Sequence, residues 1–183
     1  MIIYIHGFGG SGEGYKAKAF RNYFQSHNIS FLAPSLSYIP ELAINTLEEL
    51  IANFKDVKFI GSSLGGYYAL YLARKFCTKA IVINPGLYPY ERLKSALGYY
   101  ACNFYDESHF EWKKEHLEML KLFDCHQVSN QTLFLLQKGD ELLDYQDVYK
   151  KFQNPQILLE EGGSHSYEGI ESKFELIKSF LFD

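Results

Sequence analysis

The sequence predicts an α/β fold: a parallel sheet of about six strands with helices on both faces. Two patterns and one quantity carry this reading. Short apolar runs alternate with segments of helical periodicity along the whole chain, the order that builds a parallel sheet through crossover helices. The apolar runs are unbroken and rich in Ile, Val, Leu and Phe, as strands covered on both faces require. The length of 183 residues fits one domain, and 47% hydrophobic against 22% charged residues suffices to bury a core without disulfide or metal staples.

In chain order, the candidate strands are Ile2–His6, Ser30–Ala33, Val57–Gly61, Ala80–Asn84, Leu133–Gln137 and Ile157–Glu160. The first connection carries a glycine-rich turn and then a helix over Tyr15–Ser26. A second helix, Glu41–Phe54, follows Pro40, a residue suited to a first helical position, and aligns Leu47, Leu50, Ile51 and Phe54 on one stripe. The third, Leu64–Phe76, is apolar nearly all round and is expected to be buried. Tyr145–Phe152 and Glu168–Phe180 complete the series. The segment between Asn84 and Leu133 is too long for a simple crossover. It is expected to hold two helices, the second around Phe110–Phe123, where Phe110, Leu117, Leu120 and Phe123 fall at helical spacing. An insertion after a central strand lies at the carboxyl edge of the sheet, where ligands bind in such folds.

The bulk numbers narrow the function classes. A net charge of −4 without a basic run gives no footprint for nucleic acid. Three cysteines, Cys77, Cys102 and Cys125, form no C-x-x-C pair, so free thiols in a reducing compartment are expected and no metal site is. No apolar stretch approaches the roughly 18 residues of a membrane span, and the first residues read as a core strand rather than a secretory signal. The expected location is cytoplasmic.

The opening run HGFGGSGEG contains G-x-G-x-x-G, which raises a nucleotide reading. A dinucleotide site needs a carboxylate about 20 residues on, at the end of the second strand. No Asp or Glu occurs between Gly14 and Pro40. A phosphate-binding P-loop needs Lys where Glu13 stands, and a carboxylate there repels phosphate. No nucleotide cofactor is therefore expected.

The strongest chemical signal is Gly61-Ser62-Ser63-Leu64-Gly65, a G-x-S-x-G frame between a candidate strand and a candidate buried helix. A glycine-rich turn can carry a chance serine, but this context is the one a nucleophile elbow requires: a sharp turn that lifts Ser63 above the sheet edge at a helix N-terminus. A serine hydroxyl needs a base. Of six histidines, His165 alone falls in the loop after the last strand, at the same sheet edge as Ser63. The orienting carboxylate is expected in Gly139-Asp140-Glu141-Leu142-Leu143-Asp144, after the preceding strand. Asp140 is the better placed, and Asp144 reads as the cap of the next helix. The chain order Ser63, Asp140, His165 is that of the α/β hydrolases. An oxyanion hole then draws on the backbone N–H groups of Leu64 and of Phe8, in the opening loop.

The runs IYIHGFGGS, GSSLGGYYA, INPGLYPYE, GDELLDY and EGGSHSYEG occur in this order over nearly the whole chain. Together they resemble the small YqiA-like esterases of the α/β-hydrolase superfamily. The resemblance implies a minimal α/β-hydrolase domain over residues 1–183, with a short helical cap at about 86–130. It also implies a serine esterase that needs no cofactor, with Ser63, Asp140 and His165 as its triad. The expected substrate is a small acyl ester or thioester, with Tyr67, Tyr88 and Trp112 as candidate walls of the acyl pocket. The rival reading is a non-catalytic binding module on the same fold.

Overall fold

The computed structural model describes residues 1–183. Strands β1 (Ile2–Ile5), β2 (Phe31–Leu32), β3 (Lys58–Ser62), β4 (Ala80–Ile83), β7 (Thr132–Gln137) and β8 (Gln156–Glu160) form one sheet in the order β2-β1-β3-β4-β7-β8. Every pair in it is parallel. The apolar strand runs are explained by burial on both faces. Ile3, Ile5, Phe59, Val82, Phe134 and Leu136 face one core, which α2 (Pro40–Asn53), α3 (Leu64–Phe76), α5 (Lys114–Lys121) and α6 (Gln146–Lys151) cover. Ile2, Tyr4, Ile60, Ile81, Ile83 and Leu135 face a second core under α1 (Tyr15–Ser26) and α7 (Phe174–Phe182). Neighbouring residues thus enter opposite cores, the period-2 geometry of a strand. The third helix, α3, is buried as its composition requires, from Leu64 through Leu70.

The sheet order sets where a site can form. From β1 the chain steps outward to β2, then crosses back to β3 on the other side of β1. The loops after β1 and β3 therefore diverge at a topological switch point, the crevice where open α/β sheets bind ligands. These are the glycine-rich opening loop and the Ser63 turn.

The insertion departs from expectation in one respect. It holds α4 (Pro89–Arg92) and α5, but between them runs an antiparallel hairpin, β5 (Gly98–Cys102) with β6 (His109–Trp112). Phe110 and Trp112 thus lie on a strand, and the helix starts only at Lys114. The hairpin leans on the opening loop: Phe104 N–H donates to Gly9 O at 2.8 Å.

Packing accounts for Gly12 in the opening loop. A Cβ on Gly12 would stand 2.0 Å from Ala33 O, so the backbone passes too close to the end of β2 for any side chain. Glu13 pairs with Arg21 at 2.9 Å. These contacts account for the last glycine of the fingerprint without a phosphate.

Candidate active site

Ser63 stands at the end of β3 with φ 55° and ψ −120°, a conformation that L-residues avoid and that costs on the order of 1–3 kcal/mol. The turn is held by its own backbone. Ser63 N–H donates to Ile83 O at 3.1 Å, and Ser63 O accepts from Gly66 and Gly86 N–H at 3.0 and 3.1 Å. The flanking glycines are forced by close approach. At Gly65 a Cβ would meet Ile5 O at 2.0 Å, because α3 starts directly against β1. Gly65→Ala is expected to destabilise the fold by about 3 kcal/mol or more through overpacking against backbone that cannot yield. The check is a urea midpoint that falls at unchanged slope.

The structure brings Ser63, His165 and Asp140 together from three loops at the carboxyl edge. His165 Nε2 lies 3.0 Å from Ser63 Oγ, and His165 Nδ1 lies 2.9 Å from Asp140 Oδ2. The Asp140 side chain is 3% exposed and His165 19%, so the carboxylate is enclosed while the imidazole edge stays open to a ligand. Asp140 is itself fixed, since its Oδ1 accepts from Leu142 and Leu143 N–H, both at 2.9 Å. Asp144 stands apart and accepts from Gln146 N–H at 2.8 Å, at the start of α6.

Two buried amides that sequence reasoning missed hold the histidine loop. Asn84, at the end of β4, donates from Nδ2 to Ser164 O at 3.0 Å and to His165 O at 3.3 Å. Its Oδ1 accepts from Gln137 N–H at 3.1 Å. Gln137, at the end of β7, accepts at Oε1 from Ser164 and Glu168 N–H at 3.2 and 2.8 Å. Its Nε2 donates to Glu168 O at 2.8 Å. Glu141 adds an acceptor for His165 N–H at 2.9 Å, and this bond holds its carboxyl below the usual carboxylate range. The available signal was an amide ending an otherwise apolar strand at the carboxyl edge, where a buried polar group must serve a loop.

The opening loop lies against the elbow. A Cβ at position 7 would stand 3.6 Å from Ser63 Oγ. Phe8 N–H meets no acceptor within the chain. Leu64 opens α3, so its N–H is among those a helix leaves unpaired at its start. Phe8 is gripped by ring contacts to Phe110 and Trp112 at centroid distances of 5.5 and 4.9 Å. His6 anchors the loop to the segment after β2. Its Nε2 accepts from Leu36 N–H at 2.9 Å, which places the proton on Nδ1, 2.8 Å from Gly7 O.

Burial holds the His6 imidazole below its ordinary pKa of 6.5. An unfolded chain takes up that proton near the ordinary value while the folded chain resists it. Stability therefore falls as pH drops through 6.5 toward the depressed folded value, by at most ~1.4 kcal/mol per pH unit. His6→Gln keeps an acceptor for Leu36 but cannot titrate. Its melting temperature is expected to fall less than that of the wild type between pH 7 and 5. Parallel melting curves isolate the effect from His116, whose imidazole burial also lowers.

The three candidate pocket aromatics are placed elsewhere, and each has a structural reason. Tyr67 is 1% exposed, with its hydroxyl donating to Leu120 O at 2.7 Å, so it ties α3 to α5. Trp112 is also 1% exposed and packs behind Phe8 and beside His116. The Tyr88 ring carries the Lys151 ammonium at 4.5 Å. Two open cavities flank the opening loop instead. One of about 530 Å³ contains Ser63, His165, Lys16 and Phe104. The other, about 590 Å³, lies between the opening loop, the segment after β2 and the hairpin, and is walled by Phe8, Leu36, Tyr38, Leu64, Tyr68 and Phe110. No group of three or more His, Cys, Asp or Glu side chains converges to hold a metal ion. No helix is long and apolar enough to cross a membrane.

Comparison with known proteins agrees with this architecture. A family model described as "Uncharacterised protein family (UPF0227)" matches residues 1–182. The UPF0227 protein YcfP of Escherichia coli is 24% identical over 189 residues, covering 98% of both chains. Among solved structures, alpha/beta hydrolase domain-containing protein 10 from mouse superposes with TM-score 0.75 at 17% identity, over 97% of this chain and 88% of that one. Est1E from Butyrivibrio proteoclasticus, solved with ferulic acid bound, gives TM-score 0.71 at 16% identity, over 98% and 86%. The fold is that of the α/β hydrolases, and the chain belongs to the UPF0227 family.

Proposed function

We propose that this UPF0227 member is a serine hydrolase that cleaves small acyl esters or thioesters. The observation that carries the reading is the imidazole of His165, bonded through Nε2 to Ser63 and through Nδ1 to Asp140. In this reading Ser63 Oγ attacks the acyl carbonyl as His165 takes its proton. Phe8 and Leu64 N–H groups receive the tetrahedral oxyanion, each such donor contributing roughly 3 kcal/mol. The bond to the leaving oxygen or sulfur then breaks, and His165 returns the proton to it. Water repeats the sequence on the acyl-serine. Asp140 holds the imidazole proton on Nδ1, which leaves Nε2 free to accept.

The reading needs no cofactor, nucleotide, nucleic acid or membrane partner, and one domain suffices for it. Labelling with a fluorophosphonate probe, followed by mass mapping, tests it. Modification at Ser63 is the expected result. A protein that takes no label but binds carboxylic acids would instead be a binding module on this fold.

A further inference from the structure

The larger cavity does not contain Ser63, yet it touches both proposed oxyanion residues, Phe8 and Leu64. The serine hydrolase reading, on which this inference rests, gives the two cavities different tasks. His165 must deliver a proton to the leaving atom, so the leaving group lies on its side, in the cavity that contains both His165 and Ser63. The acyl group extends the other way, past the rim of Gly7 and Phe8 that the two cavities share.

One wall of that second cavity carries a hydroxyl without a protein partner. Tyr68 follows Leu64 by four residues on α3, so the two share a face about one pitch (~5.4 Å) apart. A tyrosine on a helix also leans toward the helix N-terminus, here toward Leu64 and the reacting carbonyl. Tyr68 is 3% exposed and lines the cavity, yet its hydroxyl makes no hydrogen bond within the protein. Its neighbour Tyr67, equally buried, has an acceptor in Leu120 O. Phe8, Leu36, Leu64 and the stacked pair Tyr38 and Phe110, 4.4 Å apart, make up the apolar part of the lining, while Ser37, Asn103 and Glu111 are half-buried and Ser108 and His109 exposed. Tyr68 is the buried donor of this lining, and a buried donor without a protein partner is an orientation and specificity element, since an apolar ligand leaves it unpaired.

We infer that this cavity takes the acyl group and that the Tyr68 hydroxyl selects acyl chains carrying an oxygen acceptor a few bonds beyond the carbonyl. Plain alkyl chains fill the same space but bury the hydroxyl without a partner.

The test compares matched p-nitrophenyl esters: pentanoate with 4-oxopentanoate, and hexanoate with 5-oxohexanoate. Each kcat/KM is divided by the ester's alkaline hydrolysis rate, and fluorophosphonate labelling is mapped on the same preparations. In the wild type the oxo ester of at least one pair should be favoured by about three- to tenfold, the worth of one neutral hydrogen bond. In Tyr68→Phe, which removes only the unpartnered hydroxyl, that ratio should fall to near one. A wild-type ratio of one, or an equal preference in both proteins, with Ser63 labelled, overturns the Tyr68 assignment and leaves the nucleophile standing. Absence of both labelling and hydrolysis overturns the nucleophile, and this inference with it.

Discussion

Ser63→Ala is expected to abolish ester hydrolysis, with a loss on the order of 10⁵–10⁶ in kcat if the three groups act as a unit. The unfolding midpoint should stay close to that of the wild type, because alanine meets the same backbone strain at φ 55° and the turn's hydrogen bonds come from the main chain. What remains in the variant is the pair of N–H donors and the imidazole, which can polarise a carbonyl and a water but form no acyl-enzyme. Ser62→Ala is the control. Ser62 is buried as the last residue of β3, and the imidazole is bonded to its neighbour. Its removal should leave turnover within about tenfold, the range of a lost neutral hydrogen bond. Fluorophosphonate label on Ser62, or undiminished turnover in Ser63→Ala, would contradict the assignment.

The sheet was legible because its burial is two-sided. A strand covered on both faces must be apolar at every position, and all six such runs became strands. The hairpin was not, because its pattern serves two structures. Phe110, Leu117, Leu120 and Phe123 fit a helical stripe, yet Phe110 belongs to β6 and the other three to the segment at and beyond α5. Turn residues Asp106, Glu107 and Ser108 between two aromatic runs were the competing signal. Glu107 indeed adopts φ 61°, and Asp106 Oδ1 accepts from Ser108 N–H at 3.0 Å.

The polar groups at the strand ends were readable by frame and position, since each loop starts where an apolar run stops. The pocket walls depend on rotation about a helix axis and on the inserted hairpin. Tyr67 and Tyr68 are one residue apart, yet one joins α3 to α5 and the other faces the cavity. Counting four residues on from Leu64 would have chosen between them. Asn84 and Gln137 needed knowledge of which loops pass over β4 and β7, and that is a fact of topology rather than of local pattern.

Asp140→Asn tests the role of the carboxylate more sharply than its deletion, because it preserves shape. The asparagine carbonyl can still accept from Leu142 and Leu143 N–H, so the loop keeps both bonds. That orientation turns the amide NH₂ toward His165 Nδ1, whose N–H in the wild type donates to Asp140 Oδ2. An NH₂ cannot accept, and Oδ1, 3.1 Å from Nδ1, is already taken by Leu142 and Leu143 N–H, so the imidazole proton moves to Nε2, and the nitrogen 3.0 Å from Ser63 Oγ can no longer take the serine proton. The expected result is a fall in kcat of about 10⁴ with little change in melting temperature. Asp144→Asn should do the reverse. Asp144 caps Gln146 N–H and lies 3.6 Å from Lys150 Nζ, with a side chain 45% exposed. Its loss should cost on the order of 1 kcal/mol of stability or less and leave kcat within about twofold. Steady-state kinetics and melting curves on the two variants decide the matter: if the kinetic loss follows Asp144, the third member of the triad is Asp144, and the bond between Asp140 and His165 is structural.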